Sequence, residues 1–198
     1  MTAVFGGSFN PVHLGHTGLA SWMVVHGYAD KVWLMVSPRN PLKADASLAG
    51  ERLRLGWTQM ACEGIAGVTA SDFEFTLPRP SYTWQTLTAL RRAYPGEDFA
   101  LAIGADNWLC FDRWARHDWI LRNFFLLVYP REGYPLYASV GHSSPPPPYA
   151  HGVTFMPAPL FPISSTEIRR RLRRGEPCDG LLAPQVQDAI IRDGAYRP

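Results

Sequence analysis

The chain has 198 residues, 46% of them apolar, and its 19 Lys plus Arg against 17 Asp plus Glu leave a formal net charge of +2. That length and apolar content can bury the core of one domain and exclude a disordered chain, and so small a charge does not by itself call for nucleic acid. No apolar run approaches the ~18 residues of a bilayer span, no basic leader precedes the first apolar run, and Cys62, Cys110 and Cys178 are scattered without a metal pattern, as suits a reducing cytoplasm.

The apolar run 3–5 suits a buried first strand of a parallel sheet. Gly6 and Gly7 then let the backbone turn sharply and come close to a ligand, since neither has a Cβ. Ser8 and Asn10 are candidate helix caps, and Pro11 disfavours helix at Asn10 while opening one itself. This predicts a helix over 12–26 with Gly27 as its stop. His13 and His16 share one face of its first turn, beside free N–H groups and the positive end of the helix dipole. Two imidazoles and a helix N-terminus converging on one point predict a phosphate-handling site. A zinc site would need further ligands, and no Cys, Glu or third His stands nearby at ligand spacing; two plain surface histidines are the other reading.

Residues 31–37 read as a second buried strand. It ends in a proline-rich loop carrying Arg39 and Lys43, at the edge where open α/β sheets bind ligands. Both are placed to meet polyphosphate, or are solvated loop cations. Residues 48–63 form an amphipathic pattern, with Leu48, Leu53, Leu55, Met60 and Ala61 inward and Glu51, Arg52 and Arg54 outward. The alternation over 68–75 suits a third strand. Ser81 is the expected cap of a helix running to 93, whose N-terminus at Thr83 and Trp84 can receive a carboxylate. Residues 99–103 read as a fourth strand; Gly104 then permits close approach, and Asp106 is set to accept hydrogen bonds from ribose hydroxyls. A fifth strand is expected at 124–128 and a short sixth at 153–156, with a polyproline connector over 143–148 between them.

Near the C-terminus Ser164 or Ser165 caps another helix. Its free N–H groups, the hydroxyls of Ser164, Ser165 and Thr166, and Arg169 form a second anion site. In the arginine run 169–174, Arg170 and Arg174 turn away, which reads as a solvated face rather than a nucleic-acid patch. Gly175 stops this helix, and a last one is expected at 184–192. Alternating strand and helix implies a right-handed, mostly parallel sheet with helices on both faces. The order 3-2-1-4-5 would set strands 1 and 4 side by side and bring the first turn next to Gly104 and Asp106.

The segment GGSFNPVHLGH at 6–16 resembles the first signature of the HxGH nucleotidyltransferase superfamily, and ISSTEIR at 163–169 resembles its second; they stand in order, about 150 residues apart. Within that superfamily the chain is similar to the bacterial nicotinate-nucleotide adenylyltransferases over nearly all its length. The resemblance implies one α/β domain over 1–198, a doubly wound, Rossmann-like, mostly parallel sheet with a small C-terminal helical part from about 163 to 198. It implies adenylyl transfer from ATP to nicotinate mononucleotide, giving deamido-NAD and pyrophosphate. The residues so implied for catalysis are His13, His16, Lys43 and Arg169. ATP would meet Gly6, Gly7, Ser8, Phe9, Gly104, Asp106, Ser164, Ser165 and Thr166. The Ser-Tyr-Thr-Trp-Gln-Thr-Leu segment implies that Thr83 and Trp84 hold the pyridine carboxylate, and Trp114 stands at the spacing of a tryptophan that stacks on the ring, with Trp108 and Trp119 as alternatives for that role. The chain has Asn10 and Gln85 where relatives often carry Asp.

In this chemistry the attacking phosphate is already an anion, so no strong general base is required; alignment and charge neutralisation are what count. His13, His16, Lys43, Arg169 and two helix N-termini would supply that charge. Mg²⁺ would ride on the ATP phosphates, with no metal site of the protein's own. The expected partners are ATP and nicotinate mononucleotide, with no nucleic acid and no membrane; a homo-oligomer is left open. The alternatives are another acceptor, nicotinamide mononucleotide or phosphopantetheine, or a non-catalytic nucleotide sensor. Loss of either histidine or of Arg169 would have favoured the sensor, and none is lost.

Overall fold

The computed structural model describes residues 1–38, 48–134 and 150–196. Arg39, Lys43 and the proline-rich connector lie outside the described residues. Six parallel strands make one sheet in the order β3-β2-β1-β4-β5-β6: β1 Thr2–Gly7, β2 Lys31–Val36, β3 Val68–Ser71, β4 Phe99–Gly104, β5 Phe125–Tyr129 and β6 Gly152–Phe155. The helices are α1 Leu14–Val25, α2 Glu51–Cys62, α3 Thr83–Ala93, α4 Ala105–Trp108, α5 His117–Asn123, α6 Ser165–Arg173 and α7 Pro184–Arg192. The α/β, doubly wound, Rossmann-like architecture is therefore the one expected, with β6 added outside β5.

Strand period 2 sorts the apolar side chains to two faces. Ala3, Phe5, Val32, Leu34, Val36, Ala100 and Ala102 point to a core shared with α1, α2 and α7, where Met23, Trp57 and Ile190 are fully buried. Val4, Met35, Leu101, Ile103 and Val128 point to the other, against Leu87 and Leu90 of α3 and Ile120 of α5. Ile168 of α6 joins the first core, so the C-terminal signature is pinned to the same face as α1.

Four local expectations change. The strand expected over 68–75 stops at Ser71, and Phe73–Thr76 turns into a 3₁₀ helix that buries Glu74. The first helix starts at Leu14 with His13 as its N-cap, not at Ser8 or Asn10. Asn10 instead spends its side-chain oxygen on distant partners, accepting from Ala49 N at 3.1 Å and from the Tyr196 hydroxyl. Likewise Tyr82 rather than Ser81 caps α3, and Ser81 is buried with its hydroxyl directed to Glu74. The largest departure is Arg54: expected on the outer face of α2, it is completely buried.

Candidate active site

A cleft of about 1220 Å³ opens along the C-terminal edge of the sheet. Gly6, Gly7, Ser8, Phe9, His13 and His16 line it from the first motif, and Ser164, Ser165, Thr166 and Arg169 from the last. Asp106, Thr83 and Trp114 also line it; Gly104 and Trp84 do not.

The two histidines stack, with ring centroids 3.6 Å apart and planes at 21°. The His13 backbone N–H donates to His16 Nδ1 at 3.2 Å, so His16 occupies the place where a capping box usually carries a carboxylate. With Nδ1 accepting, the proton of the neutral ring sits on Nε2. Phe9 closes the back of this pair, edge-on to His16 at 4.9 Å between centroids. It holds a left-handed φ of 42° while almost wholly buried, a strain of roughly 1–3 kcal/mol that packing must offset. His13 is buried, and its pKa is lowered from 6.5 to about 3, first by desolvation and then by the Arg131 cation. At neutral pH it is therefore an uncharged hydrogen-bonding group, not one of the positive charges expected of it. The free first-turn amides expected of α1 are also fewer, because Leu14 N–H donates to Leu181 O at 2.9 Å.

The second signature folds back across the first. Ser165 Oγ donates to Pro11 O at 2.9 Å, and Arg169 Nη1 donates to Asn10 O at 2.8 Å, while Nη2 reaches Thr166 Oγ1 at 3.3 Å. The Ser165 hydroxyl proton is thus already committed to the turn, and both Arg169 bonds tie the second signature to the first turn and to its own helix. Arg170 and Arg171 both pair with Glu167, which holds its carboxyl down to about 2, and this matches the solvated face expected of the arginine run.

Gln85 Oε1 accepts from Tyr82 N–H at 3.1 Å, so Gln85, at the third position of α3, reaches back to the N-cap residue Tyr82. The Gln85 and Thr86 amides bond to Tyr82 O, leaving those of Thr83 and Trp84 outside this pattern. The Trp84 ring packs under Arg116 and edge-on to Trp119. Of the three candidate tryptophans, Trp108 packs on Phe111 and Phe155 and Trp119 on Phe124, and only Trp114 lines the cleft. Its indole nitrogen is buried without a hydrogen-bond partner among the described residues.

Several cleft residues had been given no role. Arg131, just past β5, sits 3.7 Å from Asp106 Oδ1; the position-after-a-strand argument used for Lys43 would have found it. Glu74 accepts from Thr86 Oγ1 at 2.8 Å, and burial still pushes its carboxyl up. Tyr129 lies under the cleft, its phenol pushed up to about 12 by burial. A Cβ on Gly104 would stand 2.3 Å from Asp106 Oδ1 and 2.9 Å from Arg131 Cγ, so a side chain there would displace that pair at the cleft wall.

The cytidylyltransferase-like family model matches residues 4–171. A probable nicotinate-nucleotide adenylyltransferase of Bacteroides fragilis is 45% identical over 191 residues, covering 96% of this chain and 91% of its own. Its counterpart in Porphyromonas gingivalis is 38% identical over 193 residues, covering 96% and 93%. Among solved structures, Plasmodium falciparum nicotinic acid mononucleotide adenylyltransferase complexed with NaAD superposes with a TM-score of 0.78 at 16% identity, over 98% of this chain and 96% of that one. At that identity the likeness speaks for the fold.

Proposed function

Because the chain belongs to the cytidylyltransferase-like family and, within it, to the nicotinate-nucleotide adenylyltransferases, we propose that this cleft transfers the adenylyl group of ATP to nicotinate mononucleotide. The observation that carries the reading is the pair of hydrogen bonds from Ser165 and Arg169 to Pro11 and Asn10. They set both phosphate-facing motifs, drawn from opposite ends of the chain, on one cleft whose far end carries Thr83 and Trp114.

An oxygen of the acceptor 5′-phosphate attacks the α-phosphorus of ATP. The new P–O bond forms as the bond to the β-phosphate bridging oxygen breaks, and pyrophosphate leaves with that electron pair. Arg169 and Arg131 supply positive charge at the cleft wall; Lys43, expected from the sequence to add to it, lies outside the described residues. Neutral His13 and His16 Nε2–H act as hydrogen-bond donors to phosphoryl oxygens; losing one such donor typically costs about 10²–10³ in kcat. Asp106 faces the ribose hydroxyls, the α3 N-terminus faces the pyridine carboxylate, and Trp114 stacks on the ring. A Mg²⁺ ion carried by the ATP phosphates would add charge neutralisation there.

The test is pyrophosphate release from ATP and Mg²⁺ with nicotinate mononucleotide, nicotinamide mononucleotide and phosphopantetheine in parallel. Turnover confined to the first supports acceptor and pocket together. Turnover with another acceptor keeps the chemistry and removes the roles of Thr83, Trp84 and Trp114. No turnover with any of the three removes the catalytic reading.

A further inference from the structure

Arg54 is wholly buried on α2, yet no described carboxylate lies within ion-pair reach of it. Glu51, one turn earlier, is taken by Arg79 at 2.8 Å. The guanidinium donates instead to four backbone carbonyls: Nε to Ala49 O at 2.8 Å, Nη1 to Ser8 O at 2.6 Å and Ser37 O at 2.8 Å, and Nη2 to Pro38 O at 2.8 Å. Those carbonyls come from three segments: the turn after β1, the end of β2, and the residue pair that opens α2. Ser8 and Ser37 both line the cleft. A desolvated cation is costly, and here four backbone carbonyls that an apolar side chain would leave unsatisfied offset that cost. Two things are gained only by keeping a guanidinium here. Its fork holds carbonyls from two strand ends at once, and its charge stands directly behind the wall on which the phosphates would rest.

We propose that Arg54 is a positioning residue for the triphosphate. It clamps the β1 and β2 loop ends at a fixed separation and offsets the negative ends of their carbonyl dipoles, without touching the nucleotide. The inference rests on the reading of the cleft as an ATP site.

The test compares wild type, Arg54→Lys and Arg54→Met in calorimetric binding of a non-hydrolysable ATP analogue and in KM for ATP and for nicotinate mononucleotide. Removing hydrogen bonds to a charged donor predicts that Arg54→Met binds the analogue about thirtyfold more weakly, while Arg54→Lys, which keeps the charge but not the fork, binds it about five- to tenfold more weakly than wild type. KM for ATP should rise more than KM for the mononucleotide. Analogue affinity within about twofold of wild type in either variant, or equal rises in the two KM values, would overturn the proposal. Where Arg54→Met does not fold, Arg54→Lys decides alone. Failure of the wild type to bind the analogue would instead overturn the ATP reading on which the proposal stands.

Discussion

Acid should destabilise this protein through His13. The imidazole is 6% exposed and its pKa is lowered from 6.5 to about 3. The folded chain therefore refuses a proton that the unfolded chain accepts, so the stability tied to this group is complete above the unfolded value of 6.5 and is lost as pH falls toward about 3. At about pH 5 the unfolded site is almost fully protonated and the folded one is not, a loss of about 2 kcal/mol that grows to about 3 kcal/mol near pH 4. Carboxylates titrate over the same range, so the assay must be differential. Urea midpoints are measured from neutral pH down to about pH 4 for wild type and for His13→Asn, whose side chain does not titrate. The wild type should lose about 2 kcal/mol more than the variant by about pH 5. Parallel curves would refute the assignment of a buried neutral imidazole. The same neutrality predicts that kcat/KM does not fall as pH rises through 6.5, the point where an ordinary histidine would give up its charge.

Four further outcomes follow from the cleft. His16→Ala should cut kcat by about 10²–10³ while costing stability only the roughly 1 kcal/mol of a lost cap; near-normal turnover would remove His16 from the chemistry. Gly104→Ala forces Asp106 and Arg131 apart, so kcat/KM should drop at least about tenfold with a folding cost of about 1–3 kcal/mol, checked by kinetics beside thermal melting. Trp114→Leu should raise KM for the pyridine nucleotide by about tenfold or more and leave KM for ATP nearly unchanged, as loss of a stacking face predicts. At Gly18 a Cβ would stand 2.7 Å from the Phe161 ring, so Gly18→Ala should push the segment leading into α6 outward and weaken ATP binding; adding Phe161→Leu should restore it, and no change in the single variant would show that this notch does not seat the segment.

The strands β1, β2, β4 and β5 were legible because they are largely buried on both faces and so read as continuous apolar runs; α7 was legible to the residue because Pro184 opens a clean 3.6-residue pattern. Asn10 and Ser81 were misread as caps for one shared reason. Their side chains bond to partners such as Ala49, Tyr196 and Glu74, and no local pattern announces a contact 39 or 186 residues away. Arg54 was misread on polarity. On the helix it shares a stripe with Thr58 and Ala61, and the Thr58 hydroxyl bonds back to Arg54 O at 2.7 Å. A polar stripe of that kind normally faces water, and here its cost is met by four carbonyls that come together only in the folded chain.

That misreading bears on how the site handles charge. From sequence, the positive potential was assigned to two histidines, Lys43, Arg169 and two helix N-termini. In the fold His13 is neutral, one α1 amide is used by Leu181, and Ser165 and one arm of Arg169 are spent tying the C-terminal signature to the first turn. Each of these groups does positional work before any phosphate arrives. The charge they no longer supply is present at two arginines that the motifs do not contain: Arg131 at the cleft wall beside Asp106, and Arg54 behind it. A buried cation held by carbonyls keeps its place without reorganising during transfer, which is the property that makes preorganised charge effective at a pentavalent centre. On the proposed reading the motifs mark where the phosphates would lie, and Arg131 and Arg54, outside them, would carry part of the field that holds the phosphates there.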